Sequence, residues 1–382
     1  MLCGTGLFAI FSSTISKSPV LPLFATHLGA GPSEVGLIAA VSALMGVVFS
    51  IPAGMLSDKL GRKNMLLFSA VIFASAPFLY LLVNNLWQLA LVRFYHGMAT
   101  AAFIPVAMAL VSDLFHKERG EKMGWFSTST LIGRFVAPIV GGAIIGSIVF
   151  NPGLSFKAVY LACGVSGVIA LLLILRIPDP QEETRRHRSW KETMMIFRTV
   201  ATKKPILIAS AVEASVLFAY GTFETFLPLY ALQKKLTAYE VGIFLSSQVL
   251  TLALMKPVMG KFSDRHGRKP QIFAGALMGG VCIGSFSSFS SFLPLFSLSI
   301  LFGLSISVVT SATAALIADL SERTTHGSAM GMLGSVMDIG HTTGPLIAGM
   351  MAAYYGIDVA FLTASIILLS AAFGFLTLIK LR

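Results

Sequence analysis

Two decapeptides decide the reading of this chain: Gly54-Met-Leu-Ser-Asp58-Lys-Leu-Gly61-Arg62-Lys63 and, 206 positions later, Gly260-Lys-Phe-Ser-Asp264-Arg-His-Gly267-Arg268-Lys269. The same offset carries Pro22 onto Pro228, Glu34 onto Glu240, Gly97 onto Gly303 and Asp113 onto Asp319. After one inserted residue, Gly124, Gly133, Pro138 and Gly142 fall on Gly331, Gly340, Pro345 and Gly349. The chain is therefore one unit written twice.

Those units are too apolar for water. Of 382 residues, 55 % are hydrophobic and only 12 % charged, and the mean hydropathy is +0.82, a surplus that no soluble core would hide. Apolar runs of about 20 residues, enough to cross a bilayer as helix, recur throughout. They predict helices over 2–28, 32–56, 64–84, 87–114, 123–150 and 155–177, then 205–232, 238–262, 270–291, 293–320, 328–353 and 357–380. The expected fold is an all-α integral membrane protein of twelve transmembrane helices, with bundles at 1–177 and 205–382 joined by a polar linker at 178–204. Six spans per half make the repeats parallel, and transporters built this way bind substrate between the halves near the midplane. The first run, with no basic residue before it and longer than a signal core, reads as a helix and not a leader.

The charge of +11 does not imply nucleic acid, because the positions of the cations explain it. Twenty-one Lys and Arg fall on one side of the predicted membrane and three, Lys157, Lys234 and Lys235, on the other. Positive residues stay on the cytoplasmic side, so both termini and the linker are expected there, in a plasma membrane of the bacterial inner-membrane type, with the basic linker against anionic lipid. Lys17, Arg93, Arg134 and Lys256 remain at or near membrane depth; Lys256 reads as an interfacial anchor. The cysteines lie far apart in apolar runs and suggest neither disulfide nor metal site.

Gly54 to Lys63, after the second span, resembles the loop signature of the major facilitator superfamily, and Gly260 to Lys269 repeats it after the eighth. The physical reading is a glycine that lets helices approach, an aspartate that ends one helix, and cations that meet carbonyls and lipid phosphates. The resemblance implies a cytoplasmic latch of Gly54, Asp58, Gly61, Arg62 and Lys63, echoed by Gly260, Asp264, Gly267 and Arg268. Leu91-Val-Arg93-Phe-Tyr-His96-Gly97 resembles the family's fourth-helix motif. Gly133-Arg134-Phe-Val-Ala137-Pro138-Ile-Val-Gly141-Gly142 resembles the fifth-helix signature of its proton-coupled exporters, with Ala137 departing from the usual glycine. Gly340-His341-Thr-Thr-Gly344-Pro345-Leu-Ile-Ala-Gly349 gives the fuller form in the eleventh span. Proline bends a span and glycines let it pack closely, so these helices are read as candidate gates or as ordinary packing. The resemblance also implies a cavity lined by spans one, four, seven and ten.

An ionisable residue inside a span is a functional candidate by default. Glu224 is the first candidate for proton or cation binding, with Tyr220 one turn before it. Glu213, eleven residues earlier on nearly the same face, is the second. Under the repeat Ser18 falls on Glu224, which sets Lys17 and Glu224 at adjacent levels; a structural ion pair between them is the alternative. Asp338 and His341, spaced i and i+3, form a possible proton relay, or Asp338 and Arg134 satisfy one another. Arg93 either needs a buried partner or snorkels to the interface.

No phosphate loop or protease motif occurs, so no enzyme activity and no cofactor are expected, and energy is expected from a gradient, that of protons first, or from the substrate itself. The expected function is proton-coupled export of small lipophilic or cationic compounds by a monomer whose partners are substrate, protons and lipid. Transport of an organic anion, sugar or other polar metabolite, held by Lys17, Arg93 or Arg134, is the first alternative. A non-transporting receptor or scaffold is the second.

Overall fold

The computed structural model describes residues 1–115, 118–177, 203–321 and 326–378, without the side chains of Ile51 and residues 326–328. The linker expected at 178–204 lies outside the described residues up to 202, as do the basic residues Lys117, Arg323, Lys380 and Arg382.

The helices of the first half are α1 (Leu2–Ile15), α2 (Val20–His27), α3 (Pro32–Leu60), α4 (Arg62–Tyr80), α5 (Leu86–Leu114), α6 (Arg119–Ser147) and α7 (Pro152–Leu175). Those of the second are α8 (Lys204–Gln233), α9 (Ala238–His266), α10 (Arg268–Ser285), α11 (Phe292–Leu320), α12 (His326–Tyr355) and α13 (Ile357–Leu378). Among the described residues, eleven spans are long and apolar enough to cross a membrane, with α1 and α2 forming one of them. The twelfth expected span, α12, matches its neighbours in length; Asp338, His341, Thr342 and Thr343 make it more polar.

Two expectations about helix ends are corrected. The first span is not one helix: α1 stops at Ile15 and α2 begins at Val20, because Pro19 has no N–H to donate and disfavours helical geometry at Ser18. Nor does Asp58 end a helix. It sits in the last turn of α3, which runs on to Leu60, and Gly61 makes the turn with φ of +91°; Gly267 does the same between α9 and α10 at the same angle. Only glycine adopts that conformation without strain.

The structure divides into two compact units, Met1–His187 with Thr237–Ser246, and Arg188–Leu236 with Ser247–Arg382. In the first, α3 packs on α5, α1 on α6 and α7, and α4 on α5 and α7, around Phe73, Phe103 and Phe126. In the second, α8 packs on α12 and α13, and α10 on α11 and α13, around Phe223, Phe286, Phe302 and Phe361. Large apolar side chains such as Leu91, Val165, Leu254 and Ile366 point outward, as a surface solvated by hydrocarbon requires.

Glycines set the helix spacing, and the repeat extends to what they touch. A Cβ on Gly133 would lie 2.5 Å from the carbonyl oxygen of Leu7, and one on Gly340 would collide with that of Ala214, 207 positions further on. A Cβ on Gly97 would lie 3.0 Å from the Ser42 carbonyl oxygen, and one on Gly303 would collide with that of Gln248. The start of α9, which belongs to the first unit, packs on α6 in the same manner: Gly142 faces the Ala238 carbonyl and Gly242 that of Pro138. Gly54 and Gly260, read from sequence as close-approach residues, do not serve that way here, since a Cβ at either would meet no atom within 4 Å.

Candidate functional site

The latch expected from the decapeptide assembles in both units with the same partners. Because α3 continues to Leu60, Asp58 and Arg62 stand at i and i+4 across the glycine turn, with Arg62 Nη1 2.6 Å from Asp58 Oδ1. Arg62 Nη1 also donates to the Ser57 hydroxyl, 2.5 Å, and Nε reaches Asp113 at the end of α5, 3.3 Å. In the second unit Arg268 binds Asp264 (2.5 Å), Asp319 (3.2 Å) and the Ser263 hydroxyl (3.0 Å). Each arginine thus ties a helix turn to the end of a third helix. Ser57, Ser263, Asp113 and Asp319 are latch residues that the sequence reading left out of the latch. Their signal was present: both Arg-to-Asp spacings are 51 residues. Lys63 follows Arg62, half-buried at the start of α4.

Arg93 is buried in the first unit and does not snorkel; its relative exposure is 2 %. Its Nη1 donates to the Tyr80 hydroxyl, 3.4 Å, and that hydroxyl lies 3.4 Å from His96 Nδ1. Tyr80 stacks on Tyr160 with centroids 4.3 Å apart. Arg93 Nε, His96 Nε2 and the Tyr160 hydroxyl have no hydrogen-bond partner among the described residues, and no carboxylate pairs with the guanidinium there. Sequence spacing showed Arg93 and His96 on one helix but carried no sign of Tyr80 or Tyr160, which come from two other helices.

In the second unit, close packing of α8 and α12 creates the other centre. Gly340 and Gly344 of α12 face the carbonyls of Ala214 and Phe218, while Gly221 of α8 faces the backbone of His341 and the ring of Pro345. With no side chain between the helices, His341 Nε2 comes within 3.3 Å of Glu224 Oε2, and Glu224 is 7 % exposed. The ring of Tyr220 stacks on the imidazole with centroids 5.5 Å apart. Sequence reasoning had set Glu224 beside Lys17 and His341 beside Asp338; it did not name the contact between His341 and Glu224. No spacing rule could have found this contact, which joins residues 117 apart. Asp338 is half-buried, and its backbone carbonyl accepts from the Thr342 hydroxyl, 2.7 Å. Lys17 is half-buried at the break between α1 and α2, Arg134 is exposed on α6, and Pro138, Pro345 and Gly349 are inside α6 and α12.

Glu213 is held apart from that pair. It is 1 % exposed, its Oε2 has no hydrogen-bond partner among the described residues, and the polar side chains acting on its carboxyl are Lys256 and Thr313.

A repeated six-helix unit with a latch at each helix turn and ionisable groups buried at span depth defines a membrane transporter. The model of the Major Facilitator Superfamily matches residues 2–249 and 233–382, and the chain belongs to that family: it is a multi-pass membrane transporter, not an enzyme. Relatives include the multidrug resistance protein MdtG of Enterobacter lignolyticus, 28 % identical over 94 % of this chain and 87 % of that protein. MdtG of Escherichia coli is 27 % identical over 95 % and 90 %. An uncharacterized MFS-type transporter of Methanocaldococcus jannaschii is 25 % identical over 89 % and 87 %. Among solved structures, a bacterial homolog of the human lysosomal transporter Spinster superposes with a TM-score of 0.84 at 16 % identity, covering 99 % of this chain and 95 % of that one. The nucleoside transporter NupG gives 0.80 at 14 %, covering 100 % and 98 %. These two likenesses concern the fold alone.

Proposed function

We propose that this transporter exports small lipophilic or cationic compounds in exchange for protons, as a monomer in a bacterial inner membrane with both termini and the latches on the cytoplasmic side. The observation that carries the reading is Glu224, a buried carboxylate 3.3 Å from an imidazole. A buried carboxylate must be neutralised, and here a proton, the His341 imidazolium or a substrate cation can do it. Because these compete for one group, binding of substrate favours release of the proton and the reverse, which is antiport by linkage. Tyr220 holds the imidazole in line and offers an aromatic face to a cation. The names of the MdtG relatives support a drug as the exported compound.

The test is efflux of a fluorescent lipophilic cation from cells lacking their own pumps, with wild type, Glu224→Gln and empty vector, with and without an uncoupler. Uncoupler-sensitive efflux that Glu224→Gln abolishes is expected. Wild-type efflux equal to vector, with the protein present in the membrane, refutes the reading.

A second reading is transport of an organic anion, favoured by the buried Arg93 guanidinium with no carboxylate against it among the described residues. Arg93→Met separates the two: it abolishes transport of an anion held by that guanidinium and only adjusts export of a cation.

A further inference from the structure

The second unit buries a set of oxygen atoms that neither its packing nor the Glu224 pair uses. Ser210 and Glu213 stand at i and i+3 on α8, and Ser307, Thr310 and Thr313 recur every three residues on α11, which packs on α8; such spacing lines one helix face. All five side chains are buried to within a tenth of full exposure. Glu213 Oε2 and all four hydroxyls have no hydrogen-bond partner among the described residues, and Thr313 lies against the Glu213 carboxyl.

The repeat shows what packing alone would place there. At the 206 offset, Ser210, Glu213, Ser307, Thr310 and Thr313 correspond to Gly4, Leu7, Ala101, Ile104 and Ala107. The first unit thus builds the same helix pair from apolar residues, and α1 packs on α5 without any of these oxygens. Five buried unpartnered oxygens are unfavourable, so their presence in one copy only points to a ligand.

We infer that Glu213, Ser210, Thr310 and Thr313 form a binding site for a sodium ion, with Ser307 one turn further along α11. The donors are all hard oxygens, without the nitrogen or sulfur that a transition metal prefers. One carboxylate balances one charge, whereas calcium sites gather several carboxylates. A proton on Glu213 would use one neighbouring hydroxyl and leave the rest idle. The oxygens are closed to water, which favours a small bare cation over a large or hydrated one. Lys256, exposed on α9 yet acting on the same carboxyl, is a tethered cation that weakens the site by repulsion and stabilises the carboxylate when the site is empty. This site goes beyond the proton-coupled reading at Glu224 and stands or falls separately from it.

The experiment is equilibrium binding of radioactive sodium to the purified full chain in detergent, with choline, potassium and lithium as competitors. Wild type is expected to bind sodium saturably, in competition with lithium more than potassium. Glu213→Gln should abolish binding, Thr310→Val with Thr313→Val should weaken it about tenfold or more, and Lys256→Gln should tighten it. Glu224→Gln should keep sodium binding while losing uncoupler-sensitive efflux, which distinguishes the two sites. No saturable binding to folded wild-type protein overturns the proposal, whatever the variants do. Saturable binding that survives both Glu213→Gln and the threonine pair places the ion elsewhere and overturns it equally.

Discussion

Replacing Gly340 by alanine tests how the packing makes the site. The new Cβ collides with the carbonyl oxygen of Ala214, a backbone atom that no side-chain rotation can move aside. Gly334, on the same helix, provides the control, because a Cβ there meets nothing within 4 Å. Both changes gain the same helix propensity, at most about 1 kcal/mol. Overpacking typically costs ~1–3 kcal/mol, and only Gly340→Ala incurs it. The difference between the two variants should therefore be about 1–3 kcal/mol, roughly 5- to 150-fold in the folded-to-unfolded ratio. Unfolding in mixed micelles of rising denaturing-detergent fraction measures it. A second readout follows from position: His341 is the next residue, so separating α8 from α12 lengthens its 3.3 Å contact to Glu224. Gly334→Ala should transport like wild type and Gly340→Ala should not. Equal stability and equal transport for the two variants would refute the reasoning from close helix approach to site geometry.

Three further outcomes are expected. At 3.2–3.3 Å a water-exposed ion pair is worth about 1 kcal/mol before screening; Asp113 is 32 % exposed and Asp319 59 %. Asp113→Asn should thus destabilise more than Asp319→Asn, with a smaller salt dependence, and the opposite order in unfolding at low and high salt would count against the latch geometry. Arg93→Met should leave stability unchanged or raise it, by up to ~4 kcal/mol, as other buried ions replaced by apolar groups do; a marked loss of thermal stability would show that the guanidinium is well satisfied. Thr237 and Glu240 close a capping box at the start of α9, with Thr237 N–H donating to the Glu240 carboxylate at 2.6 Å and Glu240 N–H to the Thr237 hydroxyl at 3.3 Å. Thr237→Ala should cost about 1 kcal/mol in the same unfolding assay, and no shift would mean that the cap contributes nothing.

What the sequence made legible was whatever depends on the period of the chain with itself. The spans follow from apolar run length and the two copies from the offset joining Asp58 to Asp264, while the latch of Asp58 and Arg62 came from the family resemblance and not from spacing. Helix ends at the turns were misplaced because Asp58 was read as a terminator when Gly61, with its positive φ, fills that role. The sites were legible only as single residues. Glu224, His341, Arg93 and Glu213 each stood out as an ionisable group inside a span, but their neighbours come from other helices. His341 reaches Glu224 because glycines remove the side chains between α8 and α12, and Tyr80 reaches Arg93 from α4. One-dimensional spacing carries no information about such meetings.

The repeat also separates scaffold from function more sharply than burial does. Features present in both copies, the arginine latch, the glycine turns and the close backbone approaches at Gly133 and Gly97 and at their equivalents Gly340 and Gly303, need no ligand to explain them, since packing explains them in each unit. The buried ionisable side chains are not shared. Tyr80 and His96 correspond to Phe286 and Phe302, and Arg93 to Ser299; in the second unit those phenylalanines pack against Phe223. Glu213, Thr310 and Thr313 correspond to Leu7, Ile104 and Ala107, and Glu224 to Ser18. Each unit therefore demonstrates that the other's polar cluster is dispensable for packing. A polar group that packing does not need, in a position where its burial is unfavourable, calls for a binding partner, and the proposals made above for the first unit's cation and the second unit's carboxylates rest on that ground.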